Sequence, residues 1–220
     1  MLIYNTLFLL RQEYLKRNIV MNSEECIKTR RSIRHFNTST ISIEVIKDLI
    51  EAASYAPAPH HTKPWRFVIV DKEQRVNLAD AMGKVWEKDL LKDGVSKDKI
   101  LELLDASKNK IVSAPSLIIG CINKSVLRTY GEASKDNFEM IMAHHSLGAA
   151  LQNIFLSAHA KGLASYWISS PLYAAHAVQE VLGYPSDWIS CAGIAIGEPK
   201  ESFVPPTRQQ VNLEELIFSK

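Results

Sequence analysis

The chain has 220 residues, of which 46% are hydrophobic and 23% charged, with a net charge of +2. That is enough apolar material for one domain with a full core, although two small domains are compatible with the length. Near-neutral charge gives no basis for nucleic-acid binding, which calls for a basic face or stripe. Cys26, Cys121 and Cys191 lie far apart without CxxC spacing, so neither a zinc site nor a disulfide framework is indicated, and a reducing cytoplasm is the natural compartment.

Met1 to Leu10 is apolar, but it lacks a basic lead-in and a small-residue cleavage site, and it is too short to span a bilayer. Leu2, Ile3, Leu7, Leu10 and Tyr14 instead fit a short amphipathic helix. Met21 is an alternative start. Residues 1–22 therefore read as an extension, helical or partly disordered, ahead of a single domain over 23–220.

Thr29 to Phe36 then crowds Arg30, Arg31 and Arg34 together with Thr29 and Ser32. Guanidiniums are planar, permanent cations that match phosphate oxygens in pairs, so the segment reads as a phosphate grip. A solvated basic turn ahead of a helix explains the same residues. The spacing of Ile43, Ile46, Leu49, Ile50 and Ala53 predicts a core-facing helix capped by Ser42 and ending near Tyr55. Pro57, Pro59 and Pro64 stiffen the following loop, and Phe67 to Val70 reads as a buried strand.

Residues 72–110 are rich in Lys, Asp and Glu, with Leu90, Leu91, Ile100, Leu101, Leu103 and Leu104 interspersed. They read as two surface helices broken at Asp93-Gly94, a lid or excursion over the core. Pro115 opens a strand from Ser116 to Ile122. A long helix runs from about Asp136 to Lys161 and is closed by Gly162. Gly148, Ala149 and Ala150 in its middle permit close approach of another backbone, which suits a dimer interface. Ser165 to Ser169 reads as a strand, Ser170-Pro171 as an N-cap with a proline at N1, and 172–182 as a helix ended by Gly183. Ala192 to Gly197 is the last core strand. Interleaved helices and strands favour a sheet covered by helices on its faces.

The order Arg-Arg-Ser-x-Arg-x-Phe (30–36), an amphipathic helix, a proline loop ending in Pro64-Trp65-Arg66-Phe67, and a late Gly-x-Pro (197–199) followed by Arg208 resembles the nitroreductase family of FMN-dependent oxidoreductases. The resemblance runs from about Cys26 to the C-terminus. It implies an α+β fold with a mostly antiparallel sheet flanked by helices. It further implies an intertwined homodimer holding FMN at the interface, with the tail after Pro199 (Phe203, Leu213, Leu216) as an arm around the partner. By motif match, Arg30, Arg31, Ser32 and Arg208 hold the FMN phosphate and ribityl chain. Arg34 lies by the N1 and O2 edge, where a cation stabilises the charge left by two-electron reduction.

The family's Pro-Ser-x-x-Asn-x-Gln-Pro-Trp loop, which reaches the flavin from the partner subunit, corresponds to Pro57, Ala58, Pro59, His61 and Lys63. Here Ala58 replaces serine, His61 asparagine and Lys63 glutamine. That variant loop is similar to the one in the FMN-binding domain of the FbiB family of coenzyme F420 biosynthesis proteins. Gly162 to Trp167 corresponds to the backbone segment by flavin N5, with Ala164 and Ser165 as cofactor contacts; Trp65 and Trp167 fit core packing, with the flank of the ligand pocket as the alternative. The resemblance implies hydride transfer from NADH or NADPH to flavin N5, then two-electron reduction of a nitroaromatic or quinone. Two alternatives stay open: a flavoprotein acting on F420 or its precursor, and a non-catalytic flavin binder. No side chain is assigned as catalytic. A metal site at His60, His61, His144 and His145 is not expected, because adjacent histidines diverge and no carboxylate joins them at ligand spacing. No membrane or nucleic-acid partner is expected.

Overall fold

A computed structural model describes residues 21–205 and 207–219; the apolar segment at the start of the chain lies outside the described residues. The elements are α1 (Ser23–Thr29), α2 (Ile43–Ser54), β1 (Trp65–Ile69), α3 (Arg75–Lys92), α4 (Lys97–Val112), β2 (Ser116–Asn123), α5 (Ala133–Ala160), β3 (Ala164–Ile168), α6 (Ser170–Tyr173), α7 (Ala175–Leu182) and β4 (Trp188–Gly197). The strands form one antiparallel sheet in the order β1-β2-β4-β3. The α+β expectation is met.

The sheet is buried on both faces because its central strands alternate between two cores. On β2, Ile118 and Ile122 join one cluster with Leu49 of α2 and Leu147, Leu151 and Ile154 of α5. Leu117, Ile119 and Cys121 point the other way, into a cluster with Leu78, Ala79 and Met82 of α3, Ile111 of α4 and Val178 of α7. This is the period-two alternation of a strand. Ser42 caps α2 by accepting from the Val45 amide. Gly162 follows α5 at φ 76°, and Gly183 ends α7 at φ 67°, both in the left-handed region where glycine is free of Cβ strain.

Two local expectations are corrected. Ser170 is not the N-cap: the helix begins at Ser170, its N-cap is Ser169, and the buried Ser170 hydroxyl has no hydrogen-bond partner among the described residues. Pro171 allows either start, because the first helical amides have no intrahelical acceptor to lose. The helix over 172–182 is broken at Ala174, whose backbone leaves the helical region at φ −114°, ψ 32°.

In the α3–α4 hairpin the buried residues are Leu78, Ala79, Met82, Ile100 and Ile111, while Leu91 and Leu101 face solvent. Arg75 is itself buried at the start of α3. Its guanidinium donates to the Val70, Ala114 and Pro115 carbonyls and so ties the end of β1 to the entry of β2.

Gly197 ends β4 under a tight roof. A Cβ there would stand 2.6 Å from Pro115 Cγ and 2.8 Å from Phe36 Cδ1. Gly197→Ala is expected to lower stability by about 1–3 kcal/mol through overpacking, measured as a fall in the denaturation midpoint. Gly120→Ala is the milder comparison, because its one neighbour under 3.0 Å is the Leu151 Cδ2 side-chain tip rather than a proline ring.

Candidate functional site

The arginine segment is an extended ribbon pinned on both sides. Ser32 bridges Ser165 in parallel, with the Ile33 amide donating to the Ser165 carbonyl at 3.1 Å. Phe36 bridges Pro199, and the Asn37 amide donates to the Glu198 carbonyl at 3.0 Å. Ala164 and Ser165 at the start of β3 therefore lie directly against Ser32. Arg34 sits 5.4 Å over the Tyr166 ring, whose hydroxyl donates to the Lys110 carbonyl. Burial raises the Tyr166 phenol, and Arg34 partly offsets that rise.

The tail returns to the same place. The Lys200 amide donates to the His35 carbonyl, Phe203 stacks on the His35 ring with centroids 4.5 Å apart, and Arg208 donates to the Arg30 carbonyl at 3.0 Å. Residues 178 positions apart thus meet. Arg30 lies 5.8 Å over the Phe155 ring of α5. Burial lowers the Arg30 guanidinium below its usual value, and the neighbouring Arg208 and Arg31 lower it further. Three cations are held where each raises the cost of the others, an arrangement that a dianion relieves.

Alongside, the Thr29 hydroxyl donates to the Glu25 carbonyl and lies 2.8 Å from His159 Nε2. Thr29 belongs to the segment read as a phosphate grip, whereas Phe155 and His159 carry no site signal in the sequence. Those two look like ordinary helix positions, and only the docking of α1 on the end of α5 brings them beside Thr29 and Arg30.

The proline loop docks elsewhere. Pro57, Ala58 and Pro59 line a groove of about 360 Å³ with Met142, His145, Ser146 and Ala149 of α5. From Ser146 to His159 is about 20 Å along a helix rising 1.5 Å per residue. The loop and the arginine cluster of one chain therefore meet α5 at different stretches of its length. His61 is exposed at the end of a 3₁₀ turn over Pro59–His61.

This loop concentrates backbone strain. His60 (φ 55°), His61 (φ 55°) and Lys63 (φ 44°) are the non-glycine residues at positive φ among those described, costing about 1–3 kcal/mol each. Trp65, beyond the loop, is core at 6% exposure. Trp167, expected in the core, is instead 43% exposed and stacks on Phe155, because its side chain leaves the end of the edge strand β3.

Among the described residues, no group of three or more histidine, cysteine, aspartate or glutamate side chains is arranged to hold a metal. No helix of the described residues is long and apolar enough to cross a membrane. The cysteines are buried. Desolvation pushes Cys121 up to about 12 and Cys191 up to about 11, so neither is a ready thiolate.

Known proteins resemble this chain over most of its length. Iodotyrosine deiodinase 1 of Rattus norvegicus is 28% identical over 94% of this chain and 73% of its own length. The NAD(P)H nitroreductase-like protein YfhC of Bacillus subtilis is 27% identical over 81% of this chain and 84% of its own. A BluB-like flavoprotein from Clostridium difficile superposes with a TM-score of 0.73 at 27% identity, covering 91% of this chain and 99% of its own. The NADPH:FMN oxidoreductase of Vibrio harveyi complexed with NAD+ gives 0.67 at 22% identity, over 90% of this chain and 77% of its own, a likeness of fold. The nitroreductase family model matches residues 27–198. That span takes in the arginine segment, the proline loop and every strand of the sheet, and the chain therefore belongs to the nitroreductase family.

Proposed function

We propose that this protein is an FMN-dependent oxidoreductase that takes electrons from NADH or NADPH and works as a homodimer with the flavin between subunits. The single observation that carries the reading is the crowding of Arg30, Arg31 and Arg208, held together by the 3.0 Å bond from Arg208 to the Arg30 carbonyl. Such a cluster fits a phosphate dianion. Membership of the nitroreductase family and the names of its flavin-using neighbours point to FMN as the bearer of that phosphate.

Arg30, Arg31, Ser32 and Arg208 would hold the phosphate and ribityl chain. Ala164 and Ser165 offer small residues and backbone against the ring, and Arg34 would place its cation at the ring's pyrimidine edge. When bound, FMN supplies the two-electron chemistry that links a reduced nicotinamide to a small electron-poor acceptor such as a nitroaromatic or a quinone. No side chain is needed as a nucleophile.

The second subunit enters through α5. Phe138 and Ile141 are exposed at 59% and 41%, and Gly148 on the same helix faces open space. These residues, with the exposed His145, fall at helical three-to-four spacing on one uncovered face. A second copy seated there would bring its Pro57, Ala58, Pro59 and His61 toward the arginine cluster that its own chain holds apart from them. Residues 200–219 expose Val204, Val211, Leu213, Leu216, Ile217 and Phe218, apolar surface suited to an arm around that copy. Residues 23–220 would form the flavin-binding unit.

A second reading is favoured by the Rattus norvegicus deiodinase, which matches 94% of the chain: the acceptor would be a halogenated tyrosine. The test is the visible spectrum of the purified protein, with mass identification of the released chromophore, followed by anaerobic NADH or NADPH. Bound FMN that bleaches and is reoxidised by a nitroaromatic or quinone is the expected result; reoxidation by iodotyrosine alone would select the second reading. FMN that stays yellow would favour an F420-linked or flavin-sequestering role. No flavin after reconstitution would overturn the assignment of the arginine cluster.

A further inference from the structure

Glu139 is a carboxylate buried in α5, its side chain 5% exposed. Two groups converge on its Oε1: the Tyr130 hydroxyl donates at 3.3 Å, and His60 Nε2 stands at 3.8 Å. His60 is the one basic group within ion-pair distance of Glu139 among the described residues. It is also the first of the three positive-φ residues in the proline loop. Glu139 lies one and two turns ahead of Met142 and Ser146, which form the α5 wall of the groove whose other wall is Pro57, Ala58 and Pro59.

A buried carboxylate needs a compensating partner, and a histidine in the left-handed region needs something to hold it there. Each supplies what the other lacks. The loop's own bonds, His61 amide to Ala58 carbonyl and Thr62 amide to Pro59 carbonyl, both at 3.2 Å, fix the turn but do not tie it to α5.

We propose that Glu139, oriented by Tyr130, is a positioning residue that latches the strained proline loop through His60, so that Ala58, Pro59 and His61 are presented in one conformation. The consequence for flavin binding rests on the reading of this loop as a contact to the cofactor of the second subunit. The latch itself does not.

The test compares Glu139→Gln, Tyr130→Phe, His60→Gly and the double variant Glu139→Gln/His60→Gly in the full chain. It reads amide exchange at His61 and Thr62, the affinities for FMN and riboflavin, and the melting temperature. Glu139→Gln is expected to speed loop exchange about tenfold and to weaken FMN and riboflavin by about the same factor, with no further change on the His60→Gly background because the two act as one unit. Its melting temperature should hold or rise, since removing a buried charge relieves desolvation.

A merely structural Glu139 would behave differently. Loop exchange would stay at the wild-type rate while the melting temperature fell, or the effects of the two substitutions would add; either result overturns the latch. If no variant, nor the wild type, binds flavin, the reading of the site fails, and loop exchange alone decides the latch.

Discussion

Replacing Arg30 by alanine is expected to weaken FMN binding by about 10- to 150-fold, the worth of a charge-assisted hydrogen bond at about 1.5–3 kcal/mol, while leaving riboflavin affinity unchanged. The contrast isolates the phosphate, since the two flavins differ only there. The apoprotein offers a second readout. Arg30 lies half-buried against Phe155 with Arg208 and Arg31 beside it, and all three effects that set its pKa lower it. Alanine gives up a cation–π contact of about 0.5–1 kcal/mol but relieves the burial of a charge and its repulsion by two others. Apoprotein stability should therefore hold or rise as FMN affinity falls. Raising the salt concentration should weaken FMN more than riboflavin, through screening of the same cluster. Equal losses for the two flavins would place the phosphate elsewhere.

Arg75→Met is expected to lower stability by about 3 kcal/mol, because several buried carbonyls lose their donor at about 1–3 kcal/mol each with incomplete additivity. Arg75 is 6% exposed and donates to Val70, Ala114 and Pro115. Burial lowers its guanidinium, and Glu73 and Asp71 act in the opposite direction. For a chain of this size the change corresponds to a drop in melting temperature of roughly 6–12 °C. Arg75→Lys should recover only part, since an ammonium keeps the charge but not the planar fork that reaches three acceptors. A melting temperature unchanged by Arg75→Met would show that the carbonyls are satisfied without it.

These two arginines mark the limit of what could be read along the chain. Arg30 belongs to a motif of contiguous residues, and its neighbours Arg31, Ser32 and Arg34 announce themselves by type and spacing. Arg75 sits among Lys, Asp and Glu in a stretch whose composition suggests a solvated surface. Nothing local distinguishes the one buried cation from the exposed ones around it. The same charge hid the core face of the α3–α4 hairpin, where Leu78, Ala79 and Met82 pack under the sheet while Leu91 and Leu101 face solvent.

What the sequence determined by itself was whatever depends on neighbours a few positions away: the helix capped by Ser42, the glycine endings at Gly162 and Gly183, the apolar runs of β2 and β4, and the arginine and proline segments in their family order. Periodicity and capping act within a turn or two, so they are written locally. Tertiary structure alone decided which distant groups meet. It set Ser32 against Ser165 and brought Arg208 back to Arg30. It held the proline loop at a different stretch of α5 from the arginines, and it turned Glu139 inward to face His60. Those pairings follow from how the sheet orders its strands and how α5 crosses it, and that packing is shared among residues with no common period in the chain.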